Sequence, residues 1–274
     1  MELIDKWATL DTIGMKISLS KLGVTSSTSS TMTLEKLYEK ISLNFHSMMS
    51  LSRNVPLNEI DINTLASCAR NIMESTKVFY YFSTAFSNKE LFEFRHMLYC
   101  LNDNRNTDDI FKKLCVEEPD VLGMGNWGSQ ALVFYMKDNR YFQSLSAGDK
   151  EYALKGGKRF YGMESPKIID SGIESACYNL FSNSIHSLYG GISSNSLNPS
   201  LFNSKIDSVF LFYMAFEVSG LYYAHVAKDY LKKRYRLRRY LDVDERESIE
   251  KYAKDTSLMR CIEYFRGEKS KYSL

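Results

Sequence analysis

Proline is scarce in this chain, with only four residues among 274. Proline lacks a backbone N–H and clashes with the preceding helical turn, so a low proline content favours long uninterrupted helices. Strict alternation of apolar and polar residues, the pattern of a half-buried strand, is absent or short. Because 19 tyrosines and 16 phenylalanines are available to pack between helices, we predict an all-α fold of about seven to nine helices.

Paired cysteines are also lacking. The five cysteines are scattered and include no Cys-x-x-Cys pair, which argues against a disulfide framework and against a zinc cluster. Free thiols, and an N-terminus without the basic start and apolar core of a secretory signal, predict a cytoplasmic protein. The formal net charge is only +2, so an interaction with nucleic acid or with a membrane surface would need a local basic patch.

A run rich in serine and threonine, residues 25–33, divides the chain unequally. Such a run buries little apolar area, so we interpret it as a linker or an exposed loop. The sequence therefore suggests an N-terminal arm with its linker over 1–33 and one helical domain over 34–274.

Three local patterns predict where helices begin and end. Thr33 is a good N-cap and predicts the start of a helix. Residues 102–109 are polar throughout and predict a turn between two helices. Asp244 and Glu247 have the spacing of a capping box, which predicts that the last helix begins at Asp244.

The most informative motif is Tyr-x-x-x-Ser-x-x-x-His, formed by Tyr178, Ser182 and His186. Residues four apart lie on one side of a helix, and the same side carries apolar residues. The imidazole is therefore expected near the core, where burial tunes its protonation. One interpretation is an acid–base site in which a hydroxyl shares a proton with His186. The alternative is a core histidine whose hydrogen bonds only stabilise packing.

An earlier predicted helix carries Arg70 and Glu74, one turn apart. As a surface ion pair they would contribute only about 0.3–0.5 kcal/mol. Alternatively, the pair faces an internal polar seam and orients a partner such as His186. Together the two motifs resemble a family of uncharacterised, mainly helical bacterial proteins that carry an Arg-x-x-x-Glu helix followed by a Tyr-x-x-x-Ser-x-x-x-His helix. The resemblance spans residues 60–190 and implies a helical fold and one shared site, but no particular reaction.

The segment 209–227 is hydrophobic nearly all round, which fits either a membrane span or a helix buried inside the protein. Glu217 lies at its centre, and a charge at that depth in a membrane costs about 2.5–3.5 kcal/mol. We therefore favour a core helix, and a membrane anchor through 208–239 is the disfavoured alternative. In a core helix Glu217 is a buried acid that needs a partner, for which Arg70 and His186 are candidates.

A basic run follows this segment, over 228–239. Arg236, Arg238 and Arg239 are candidate substrate-binding residues, because clustered cations bind the phosphates of nucleic acid. The alternative is that the acidic residues of 242–250 neutralise the run within the protein.

No metal and no cofactor is predicted. Glu90, Glu93 and His96 form half of the di-iron pattern of helical bundles, but its second half is missing. Residues 123–128 match Gly-x-Gly-x-x-Gly, but no buried strand precedes them, as dinucleotide binding requires.

These patterns and the resemblance lead to a first hypothesis: a bacterial cytosolic effector, of toxin or antiviral-defence type, that acts on nucleic acid or nucleotide. His186 would be the acid–base group, Ser182 and Tyr178 its hydroxyl partners, Arg70 the phosphate contact and Glu74 the residue that orients it. A second hypothesis is a non-enzymatic helical module that binds a protein partner or another copy of itself. A third is a membrane-associated protein.

Overall fold

A computed structural model of the chain describes residues 2–20, 26, 28–53, 55–56, 59–114, 128–156, 159–163, 166–185 and 205–272. Every regular element in these ranges is a helix, and the all-α prediction is confirmed. The eleven α-helices and one 3₁₀ helix in these ranges exceed the seven to nine helices that we predict from the sequence. The α-helices are α1 (Glu2–Leu19), α2 (Ser29–Ser52), α3 (Ile62–Ser83), α4 (Lys89–Leu114), α5 (Ser129–Asp138), α6 (Arg140–Gln143), α7 (Ala147–Lys155), α8 (Ser171–Ile185), α9 (Lys205–Lys233), α10 (Val243–Tyr252) and α11 (Ser257–Tyr272). A 3₁₀ helix, Tyr235–Tyr240, connects α9 to α10.

The chain divides into two compact units. The first unit comprises Met1–Phe79 and Pro166–Leu274, and the second comprises Tyr80–Ser165. The division falls within the stretch 34–274 that the sequence suggests as one domain. Both motifs singled out in the sequence, and the basic run, belong to the first unit.

Helix α1 lies in the core of the first unit and does not form a separate arm. It packs against α2 and α9. Its buried apolar side chains recur at helical spacing and are Leu3, Trp7, Leu10, Ile13 and Ile17. Burying one side chain of this size stabilises a fold by about 1.5–3 kcal/mol, so α1, which the sequence assigns to an arm, is an integral part of the unit.

The helix that follows the hydroxyl-rich run begins before Thr33, the N-cap that the sequence predicts. Helix α2 begins at Ser29, because the hydroxyl oxygen of Thr28 accepts the backbone N–H of Thr31 at 3.2 Å. Thr28 is therefore the N-cap, and hydroxyl groups that look like linker in the sequence satisfy the free donors at the helix start.

Helix α9 occupies the centre of the first unit, where it packs against α1, α2, α8, α10 and α11. Among the described residues it is the one helix long and apolar enough to cross a membrane, but 78% of its most apolar window is buried within the protein. This burial fits the interpretation of the segment as a core helix.

The second unit is built on α4. Its apolar cluster consists of Phe94, Met97, Leu98, Leu101, Leu132, Met136, Phe142 and Ala153. The turn predicted over 102–109 is wrong, because α4 continues through it to Leu114. Asn102 donates a hydrogen bond to the carbonyl of Gly156 at 2.8 Å, and Arg105 donates to that of Leu154 at 2.9 Å. Tertiary hydrogen bonds therefore stabilise as helix a segment that local composition assigns to a turn.

Candidate functional site

Helices α3 and α8 bring the two sequence motifs together, although Arg70 and Tyr178 are 108 residues apart. On α8 the carboxylate of Asp170 accepts the backbone N–H groups of Gly172 and Ile173, at 2.8 and 3.2 Å, and so fixes the start of the helix. Tyr178 lies two turns further along the helix and faces α3.

Arg70, Glu74 and Tyr178 form a closed triangle of hydrogen bonds. Nη2 of Arg70 donates to Oη of Tyr178 at 3.0 Å, Oη donates to Oε1 of Glu74 at 2.9 Å, and Nε of Arg70 donates to the same Oε1 at 3.0 Å. The guanidinium carbon also lies 5.1 Å from the centre of the Tyr178 ring, a cation–π distance. Burial alone would lower the pKa of Arg70, but its hydrogen bonds with Tyr178 and Glu74 raise that pKa. The triangle therefore holds a permanently charged guanidinium in one position.

Two residues that sequence analysis did not single out extend this cluster. Nζ of Lys77 lies 3.6 Å from Oε1 of Glu174 and 5.5 Å from the centre of the Tyr178 ring. Glu174 stands one turn before Tyr178, and Lys77 stands two turns after Arg70. Helical spacing was thus the sequence signal that could have identified both residues. The facing sides of α3 and α8 carry alternating charges.

The cluster is accessible to solvent, since the side chains of Arg70 and Glu74 are 25% and 46% exposed. Ser182 follows Tyr178 by one turn, and its Oγ is buried without a hydrogen-bond partner among the described residues. A buried hydroxyl without a partner costs about 1–3 kcal/mol, so a polar group is expected beside it. His186, the third member of the motif, lies outside the described residues.

Glu217 is buried, with 5% of its surface exposed. The sequence suggests Arg70 or His186 as its partner, but the carboxylate is held by Lys6, whose Nζ lies 2.8 Å from Oε2. The hydroxyl of Ser257 hydrogen-bonds to both groups, and Oδ1 of Asp255 lies 3.3 Å from the same Nζ. Lys6 was missed because the sequence places it in an arm.

The basic run after α9 is neutralised only in part. Arg234 forms an ion pair with Glu35 of α2 at 2.8 Å. Glu245, from the acidic stretch expected to neutralise the run, pairs instead with Lys16 of α1 at 2.7 Å. Part of the acidic stretch is therefore engaged with a residue outside the run.

A basic groove of about 430 Å³ lies between α9, the 3₁₀ helix, α10 and the turn after α10. Its cationic lining residues are Lys228, Arg238, Arg246, Lys251 and Lys254. Glu247 and Glu250 also line it, and Glu250 lies 3.9 Å from the Nζ of Lys228. Leu231 and Ile249 contribute apolar surface. Because five cations face two carboxylates, the groove is net positive.

Arg236, Arg238 and Arg239 are exposed on the 3₁₀ helix beside this groove. In the described part of the chain no ion pair joins any of them to a carboxylate. Arg236 donates to the hydroxyl of Tyr235 at 3.4 Å, and Arg239 donates to that of Tyr240 at 2.7 Å. The three guanidinium groups are therefore available to an anionic ligand.

A further pair of titratable groups, also missed in the sequence, lies between α1 and α2. Asp11 is only 3% exposed, and its Oδ2 lies 3.1 Å from Nδ1 of His46 and 3.8 Å from Nη2 of Arg53. The pair borders a cleft of about 640 Å³, which Lys16 and Tyr240 also line. No spacing rule connects Asp11 with His46, because they lie on different helices, 35 residues apart.

Comparison with known protein families, with curated proteins and with solved structures finds no match for this chain. Within the described ranges, no three His, Cys, Asp or Glu residues are grouped so as to hold a metal ion. The Gly-x-Gly-x-x-Gly match begins at Gly123, outside those ranges. Function is therefore inferred from three arrangements: the Arg70 cluster, the basic groove and the cleft beside Asp11.

Proposed function

We propose that this protein is a bacterial cytosolic effector, of the toxin or antiviral-defence type, that binds nucleic acid or nucleotide and acts on it. The observation that carries the proposal is the basic groove, whose cations outnumber its carboxylates. Such a surface binds phosphates through ion pairs and the release of counterions. The exposed Arg236 and Arg239 next to tyrosine rings add flat faces on which bases can stack.

The reaction is proposed to take place at the α3–α8 cluster. Arg70, held by Glu74 and Tyr178, would contact a phosphate and stabilise the negative charge that develops on it. His186, four residues after Ser182 in the sequence, would be the acid–base group. The solvent access of the cluster and the hydroxyl of Ser182, to which no described residue hydrogen-bonds, support this assignment.

Binding is tested by replacing Arg236, Arg238 and Arg239 with glutamine. We expect weaker binding of a single-stranded RNA, measured by fluorescence anisotropy over a range of salt concentrations. The slope of log affinity against log salt should fall by about two, because each phosphate contact on a single strand contributes about 0.7. The control removes three exposed lysines of the second unit, Lys112, Lys113 and Lys155, and has the same net charge. Equal losses in both variants, or no salt-dependent binding by the native chain, would contradict the proposal.

The catalytic assignment is tested by His186→Ala in bacterial cells. We expect the variant to lose growth arrest or phage protection, because an acid–base group usually accelerates its step by about 100-fold or more. Asn183→Ala, on the exposed side of α8, is the control and should behave like the native chain. Circular dichroism of both variants checks that the helices remain folded. A phenotype that persists in His186→Ala rules out the assigned role.

A helical interaction module is the second candidate function. The observation that favours it is the exposure of Phe134 and Tyr135 on α5, at 69% and 48%. Large exposed apolar side chains frequently mark surfaces that bind other proteins. Self-association that Phe134→Ser abolishes, in a chain that does not bind nucleic acid, would favour this candidate.

A further inference from the structure

We propose that the cleft between α1 and α2 is a second acid–base centre, in which Asp11 orients His46, and that it cleaves RNA held by the basic groove. This inference rests on the proposed function for the binding of nucleic acid. It assigns RNA cleavage to His46 and leaves to the α3–α8 cluster a separate reaction on nucleic acid or nucleotide.

The carboxylate of Asp11 fixes the chemical state of the His46 ring. Both carboxylate oxygens lie near Nδ1 of His46, Oδ1 at 3.2 Å and Oδ2 at 3.1 Å. An ionised carboxylate only accepts hydrogen bonds, so Nδ1 carries the proton and donates it. In the neutral ring Nε2 is then the acceptor. No described residue hydrogen-bonds to Nε2, so this nitrogen is available as a base.

Asp11 and His46 differ sharply in their burial. The side chain of Asp11 is 4% exposed, whereas that of His46 is 42% exposed. A buried carboxylate behind a solvent-facing imidazole is the arrangement by which hydrolases hold a histidine in the tautomer of a general base. Arg53 stands beside them with its side chain 46% exposed. The cleft therefore presents an oriented base next to an exposed guanidinium.

The basic groove and the cleft each include a residue of the 3₁₀ helix. Arg238 lines the groove, and Tyr240, two residues later, lines the cleft. Lys16 of the cleft is paired with Glu245 of α10, the helix that also supplies Arg246 to the groove. The proposal requires that a polyanion bound in the groove extends along the 3₁₀ helix to His46.

RNA is the nucleic acid that matches these groups, because it carries its own nucleophile next to each phosphate. Nε2 of His46 accepts the proton of a ribose 2′-hydroxyl while the 2′ oxygen forms a bond to phosphorus. The bond from phosphorus to the 5′ oxygen breaks, and that oxygen takes a proton from water. The products are a 2′,3′-cyclic phosphate and a 5′-hydroxyl end, and His46 returns its proton to solvent. Arg53 stabilises the charge on the phosphate oxygens during the transfer.

The test uses the full chain with a labelled single-stranded RNA and a DNA of the same sequence. His46→Asn keeps an N–H group for Asp11 but removes the base, and is expected to slow RNA cleavage by about 100-fold or more, with RNA affinity within about twofold of the native value since the phosphate-binding arginines are retained. The control is His96→Asn, at a histidine of the second unit. The RNA products should end in a cyclic phosphate, and the DNA should remain intact.

The positioning role of Asp11 has its own readout. In the native chain, nitrogen NMR of the neutral His46 ring should show the proton on Nδ1. Asp11→Asn should remove that preference and slow cleavage. A folded Asp11→Asn variant with an unchanged tautomer and an unchanged rate would overturn this role.

The possible results separate the two proposals. If the chain binds RNA but His46→Asn cleaves it as fast as the native chain, the cleavage centre is overturned and the proposed binding function stands. The same holds if the chain binds RNA and neither form cleaves it. Cleavage abolished by His186→Ala but not by His46→Asn also overturns the cleavage centre. A chain that binds no RNA contradicts both proposals.

Discussion

Lys6→Met is expected to lower the free energy of unfolding by about 3–5 kcal/mol, the usual cost of removing one member of a buried ion pair. The reason is the carboxylate of Glu217, which is 5% exposed and would lose the ammonium group 2.8 Å away. Burial also acts to raise the pKa of Asp255, but hydrogen bonds from Ser257 and the charge of Lys6 hold this pKa below its usual value. Removing Lys6 therefore affects two carboxylates. Urea denaturation followed by tryptophan fluorescence measures the effect, because Trp7 adjoins Lys6.

The matched control is Lys16→Met, the same substitution on the same helix. Lys16 also forms an ion pair, with Glu245, but its side chain is 45% exposed, so the loss should stay below about 1 kcal/mol. A double variant, Lys6→Met with Glu217→Gln, should recover much of the stability, because it also removes the buried carboxylate that has lost its partner. Similar losses for Lys6→Met and Lys16→Met would contradict the assignment of Glu217 as a charge buried with Lys6.

The fold class was predictable because it depends on local features. Scarce proline and apolar residues at helical spacing are visible in the sequence, and so is the all-round apolar character of α9. Where a helix begins was harder to predict. The last capping box is formed by Asp242 and Glu245, whereas the sequence favours Asp244 and Glu247, which have the same spacing. The 3₁₀ helix ends at Tyr240, and Leu241 is buried. The fold around this segment, and not the sequence motif, therefore decides which Asp–Glu pair caps the helix.

The candidate site was predictable to the extent that its groups follow helical spacing. Residues four apart lie on one face of a helix, which places Arg70 beside Glu74 and Tyr178 beside Ser182. That Arg70 and Tyr178 meet depends on how α3 packs on α8, which no local pattern contains. Partners on different helices, such as Lys6 for Glu217, could not be predicted for the same reason. The Asp11–His46 pair is a similar case, because its two members share no motif.

Gly14→Ala is expected to destabilise the protein by about 1–3 kcal/mol, the cost of inserting a carbon atom into a well-packed core. In an ordinary helix interior the same change stabilises by about 0.5–1 kcal/mol, because glycine loses more entropy on folding. Here a Cβ on Gly14 would lie 1.6 Å from the hydroxyl oxygen of Tyr223 on α9. Gly220 on α9 faces Trp7 in the same way, at 2.5 Å, and Gly220→Ala should have a similar effect. Thermal unfolding followed by circular dichroism measures both.

Tyr223 cannot easily move away from an added methyl group, which is why the cost at Gly14 should be large. Its ring is fully buried, and its hydroxyl donates to Ser42 at 2.7 Å. Moving the ring would break this bond, so Gly14→Ala should cost less in a Tyr223→Phe background, where the bond is already lost. Gly148→Ala is the control, because nothing lies within 4 Å of the added carbon, and it should be neutral or stabilising. A stabilising Gly14→Ala would mean that α1 does not lie against Tyr223, and the core position of α1 would have to be abandoned.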